Sequence, residues 1–128
     1  MKKISLLLLL LVFASRSFSA DIYDDVSAAF KSGDSHAIAS YFGNTIELSL
    51  LGQEEVYSRA QAEMILKDFF TKNNAKAFSL LHKGASKEGM MYGIGTLQTA
   101  GGKNYRVSFY LKNSDGKAFL QELRIEQE

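Results

Sequence analysis

The sequence predicts an α+β domain in which N-terminal helices pack on a strongly curved, mostly antiparallel sheet. Two observations carry this. Up to Asn73 the long apolar stripes recur with a period near 3.6, whereas from Phe78 to Ile125 the period is 2 and turn residues break the chain into short strands. Elements segregated in this way, helices first and a meander after, form a layered α+β architecture.

The 128 residues open on a segment to be set aside. Lys2 and Lys3 precede an apolar run from Ile4 to Ala14, followed by a small-residue stretch from Ser15 to Ala20. That is the pattern of a secretory signal peptide over 1–19, with cleavage after Ser19 or Ala20, and the run is shorter than the roughly 20 residues of a membrane-spanning helix. The expected domain is 20–128, exported to the periplasm or beyond and free of the membrane after cleavage. Removing 1–19 takes away Lys2, Lys3 and Arg16, so 12 of the 15 basic residues remain against 14 acidic ones, a net charge of −2. Nucleic-acid binders are normally basic, which argues against that class of partner. There is no cysteine, so neither a lipid anchor nor a disulfide is available and the hydrophobic core has to suffice.

From Asp21 a helical stripe runs through Ile22, Val26, Ala29 and Phe30, with Asp21, Asp24 and Asp25 at the end where the helix dipole favours negative charge. Gly33 closes it, and Asp34 caps a short helix expected to carry Ile38 and Phe42 on one face and to end at Gly43 and Asn44. Thr45 to Leu51 alternates as a half-buried strand. After a short strand around Glu55 to Tyr57, Ser58 and Gln61 have the spacing of a capping box. They open a long helix with Ala62, Ile65, Leu66, Phe69 and Phe70 on its buried face.

The meander follows. Phe78, Leu80 and His82 alternate in its first strand, and Lys87 to Gly89 form a turn. Tyr92, Ile94, Thr96 and Gln98 share one face of the second strand, taken here as the inner one, opposite Met91, Gly93, Gly95 and Leu97. Gly101 and Gly102 make a hairpin. Tyr105, Val107, Phe109 and Leu111 point inward from the third strand, and Phe119, Gln121, Leu123 and Ile125 from the fourth. In this register His82, Tyr92, Thr96 and Gln121 fall in phase with the apolar stripe. Polar groups there need partners or a cavity, so the four are candidates for the lining of a small internal pocket with a small-molecule ligand.

Tyr57-Ser58-Arg59, Leu81-His82-Lys83-Gly84, Tyr92-Gly93-Ile94-Gly95-Thr96-Leu97 and Tyr105-Arg106-Val107 together resemble a domain-of-unknown-function family of small exported bacterial proteins. That family in turn looks like the nuclear-transport-factor-2-like superfamily, which implies the cystatin-like cone. The superfamily holds isomerases and dehydratases as well as silent binding and dimerising modules, so fold alone does not decide function.

For chemistry, His82 would serve as the base and Tyr92 as the oxyanion donor of an isomerase-like or dehydratase-like enzyme. No sheet carboxylate faces inward to support it, since Glu47, Glu122 and Glu126 point the other way. The plainer role for His82 is a histidine at the edge of the core, bonded to a backbone carbonyl or to Gln121. Two histidines, no cysteine and no carboxylate at a completing spacing give no metal site, and no cofactor motif is present. Arg106, Tyr110, Lys112, Glu122 and Arg124 lie on the opposite sheet face, a mixture of charge and aromatic surface suited to a homodimer interface. The expected function is therefore a non-catalytic binding or interaction module, with the enzyme as the alternative.

Overall fold

In a computed structural model, the described residues are 21–85 and 89–128. The expected signal segment, 1–19, and most of the Lys87 to Gly89 turn lie outside them. Helices α1 (Ile22–Ser32) and α2 (Ser35–Ala39) lead into strands β1 (Phe42–Leu50) and β2 (Gln53–Ser58), then helix α3 (Arg59–Lys72). The meander consists of β3 (Ala75–Ala85), β4 (Met90–Thr99), β5 (Asn104–Ser114) and β6 (Lys117–Gln127).

Local chemistry fixes the helix ends. Asp21 caps α1 by accepting from the Tyr23 N–H at 2.9 Å. Gly33, at φ 63°, takes the left-handed turn that ends it and donates to Phe30, while Asp34 N–H bonds Ala29 at 3.1 Å. Asp34 accepts from Ala37 N–H at 3.0 Å. The capping box of α3 is complete: Gln61 N–H donates to Ser58 Oγ at 3.2 Å and Ser58 N–H to Gln61 Oε1 at 3.1 Å. One boundary differs from expectation. Helix α2 ends at Ala39 rather than near Gly43, because Phe42 is fully buried as the first residue of β1 and is paired with Leu120.

All six strands form one curved sheet in the order β2-β1-β6-β5-β4-β3. Every neighbouring pair is antiparallel except β1 and β6, which run parallel. The three helices lie against one face. Phe30 of α1 stacks on Phe78 of β3 with ring centroids 5.4 Å apart, and Phe69 of α3 meets Tyr105 of β5 edge-on at 5.1 Å. Two phenols anchor this layer: Tyr105 Oη donates to Asn73 Oδ1 and Tyr23 Oη to the Gly84 carbonyl, both at 2.9 Å. Leu48, Leu97, Val107, Phe109, Leu123 and Ile125 complete the core from the sheet side. None of the described helices covers the other sheet face.

Candidate interaction face and pocket

The helix-free face carries the polar residues of the sheet, including the four expected inside it. In β4 the phase is the reverse of the expected one: Gly93, Gly95, Leu97 and Thr99 are buried against the helices, and Tyr92 and Thr96 lie outside. The reason is aromatic packing. Phe109 of β5 lies on Gly93 and Phe78 of β3 on Gly95, so close that a Cβ at either glycine would overlap a ring. The largest core side chains thus occupy the space above the smallest residues.

His82 leaves the interior for a different reason. A bulge between Leu80 and His82 resets β3, so that Leu80 opposes buried Gly95 but His82 opposes Ile94 on the outer face. In β6 a second irregularity pairs Tyr110 with Glu122 but Leu111 with Leu120, leaving Gln121 unpaired and exposed while Leu120 and Leu123 both enter the core. The structure therefore brings His82, Tyr92 and Thr96 together on β3 and β4, on the outside. Gln121 stands apart, across β5. None of the four lines a space between helices and sheet.

Arg106, Tyr110, Lys112, Glu122 and Arg124 also lie on this helix-free face, across the β5–β6 ladder. Tyr92 and Tyr110 are cross-strand neighbours with ring centroids 6.5 Å apart, and 37% and 39% of their surface is exposed. Arg106 Nε approaches Glu128 at 3.8 Å, and Thr96 Oγ1 donates to the same carboxylate at 3.3 Å.

The other half of the face is acidic. Glu47 of β1, Glu54 of β2 and Glu122 of β6 bring carboxylate oxygens within 4.8 Å of one another. Arg124 reaches Glu54 at 3.7 Å, Glu122 at 3.8 Å and Glu126 at 3.4 Å. The hydrogen bond shared with Glu54, the charge of Glu122 and slight desolvation hold Glu47 above the usual carboxylate range, with Arg124 pulling the other way. Hard oxygen ligands of this type suit a divalent cation, but here a guanidinium already stands among them. Glu54 stands just before the strand expected around Glu55 to Tyr57, and the alternation of Glu54, Val56 and Ser58 across from Ser49, Glu47 and Thr45 is the signal that locates it.

A pocket of about 370 Å³ opens at one end of this face, where the parallel ladder is torn. Phe42 pairs with Leu120 and the next pair is Glu47 with Glu122, so Gly43 to Ile46 have no β6 partner. Phe119 and Val56 give the pocket apolar walls, and Glu47, Lys112 and Gln121 its polar ones.

A helix layer on one face of a curved six-stranded sheet in this order defines the class of nuclear-transport-factor-2-like and cystatin-like folds. The chain belongs to the family described as Domain of unknown function (DUF4783), whose model matches residues 23–126. It is similar to a crystal structure of a member from Bacteroides ovatus, with 32% identity and a TM-score of 0.76 over 81% of this chain and 93% of that one. A nuclear-transport-factor-2-like protein of unknown function from Shewanella baltica shares the fold at 11% identity, TM-score 0.63, covering 84% of this chain and 88% of that one. So does a domain of unknown function with a cystatin-like fold from Nostoc punctiforme, at 10% identity and TM-score 0.67 over 88% and 80% of the two chains. The chain matches no curated protein.

Proposed function

We propose that the protein is a non-catalytic interaction module that works after export and pairs with a second copy of itself through the helix-free sheet face. The observation that carries this is the division of charge across the face. Glu47, Glu54, Glu122 and Glu126 outnumber Arg124 on β2, β1 and β6, while Arg106, Lys112, Tyr92, Tyr110 and His82 occupy β5, β4 and β3, with the Glu128 carboxylate beside Arg106. A two-fold axis lying in the interface, along the strands between β5 and β6, sets the acidic half of each copy over the basic and aromatic half of the other. Such a surface is self-complementary, as an isologous dimer requires. Six strands about 4.8 Å apart and up to about 30 Å long present an area close to the roughly 800 Å² per partner of a stable interface.

The positions of His82 and Tyr92 favour this reading over the isomerase-like one, which needs both groups inside the cone beside a bound substrate. Sedimentation velocity tests it. The protein is expected to be dimeric at micromolar concentration, to weaken with added salt, and to lose at least about tenfold in affinity on Arg106→Glu. A monomer at all accessible concentrations, or a dimer indifferent to that charge reversal, overturns the proposal. The N-terminal residue of secreted material, Ala20 or Asp21, tests export; retention of Met1 opposes it.

A further inference from the structure

We infer that the pocket at the torn end of the β1–β6 ladder binds a short zwitterionic peptide of dipeptide size with apolar side chains. Its volume, about 370 Å³, is at the small end of the range of roughly 300–1,000 Å³ occupied by ligand sites. Its two charged walls have opposite sign. On one side Glu47 belongs to the three-carboxylate cluster with Glu54 and Glu122, where negative charge exceeds what the one guanidinium of Arg124 supplies. An ammonium group matches that wall. On the other side Lys112 has no ion-pair partner among the described residues, and Lys117 Nζ stands 5.3 Å from the centroid of the Phe119 ring. A carboxylate matches that wall.

Phe119, on β6 between the strands of Glu47 and Lys112, supplies apolar surface between the charges, and exposed Val56 on β2 extends it beyond Glu47, which suits an aliphatic or aromatic side chain. The fourth element is backbone. Gly43 to Ile46 on β1 and Gln121 on β6 are not paired across the tear, although the Gly43 carbonyl accepts from Arg59 Nε at 3.2 Å and Thr45 and Ile46 pair with β2, so the peptide groups of a ligand meet strand backbone there. A fatty acid would leave the acidic wall unmatched, and a simple amine would leave Lys112 unmatched. The two charges and the apolar floor together select a zwitterion. Glu47 and Lys112 also belong to the face proposed to pair two copies, so peptide and second copy are expected to compete, and leucyl-leucine should shift the sedimentation toward monomer.

The probe is leucyl-leucine, titrated into the purified protein and followed by amide chemical shifts and calorimetry, with sedimentation velocity run on the same samples. Saturable binding with Kd below about 1 mM is expected, with shifts centred on Gly43 to Glu47 and Lys112 to Gln121. N-acetyl-leucyl-leucine, which lacks the ammonium, and leucyl-leucinamide, which lacks the carboxylate, should each bind at least about tenfold more weakly. Lys112→Met should abolish the discrimination against the amide only, and Glu47→Gln the discrimination against the acetylated peptide only. Both residues are exposed, so dispersed amide spectra are expected to show that the variants fold. Absence of saturable binding, or capped peptides binding as well as the parent, overturns the inference whatever the oligomeric state.

Discussion

The ring of Phe109 lies directly on the backbone of Gly93, its cross-strand neighbour in the β4–β5 ladder. A methyl group at this position has nowhere to go, because the clash is with a ring held on all sides by core residues. Gly93→Ala should therefore destabilise the fold by about 1–3 kcal/mol, the cost typical of overpacking. Combining it with Phe109→Leu should recover part of the loss, and a double-mutant cycle by urea denaturation measures the coupling. Additive effects would contradict the contact.

His82 projects from the outer face, so His82→Ala should change stability by no more than about 0.5 kcal/mol, as surface substitutions do. Leu80→Ala, two residues earlier and on the helix side of the same strand, should cost more. Thermal denaturation of the pair checks the bulge between them; equal losses would place the imidazole back inside.

Ser58→Ala removes the side-chain acceptor of the α3 capping box and should cost about 1 kcal/mol. Ser58→Asp should retain most of that stability, since an aspartate also caps. Urea midpoints of the three proteins decide the matter.

Glu47 should leave a signature in pH. For a carboxyl whose affinity for its proton is raised by folding, the stability linked to that proton is fully present below the unfolded-state value and is lost as pH rises through the folded one. Stability of the parent should thus fall across the interval just above the ordinary carboxylate range. Glu47→Gln should flatten that fall and stand above the parent near pH 7, with the difference vanishing in acid. Urea titrations across pH measure it, and an unchanged slope in the variant would contradict the shared hydrogen bond.

Helices and strands were legible because caps and periods are local. Asp21, Gly33, Asp34, Ser58 and Gln61 act within four residues of where they stand, and Phe78 to Ile125 alternates strongly enough to show a meander. The side of the sheet that faces the core was legible in β5, where Tyr105, Val107, Phe109 and Leu111 are all large and apolar. It was illegible in β4, because Gly93 and Gly95 carry no hydrophobic signal of their own; what makes them core positions is two rings from neighbouring strands. The bulges at Leu81 and Gln121 likewise depend on pairing partners and leave no mark in a single strand. Simple alternation therefore puts His82 and Gln121 inside, where the strand pairing does not, whereas it puts Arg106, Tyr110, Lys112, Glu122 and Arg124 on the outer face that they occupy. The charge cluster of Glu47, Glu54 and Glu122 joins three strands and becomes visible only with the sheet order.

The parallel pairing of β1 with β6 joins the first of the described strands to the last. Until β6 has been made, Leu48 and Leu50 lack Leu123 and Ile125 beside them, and the β1–β2 hairpin has no sheet to attach to. Contacts of such long sequence separation slow folding. A sheet built this way cannot lock until the residues of β6 are present, so β1 and β2 stay without their neighbour while the intervening strands form.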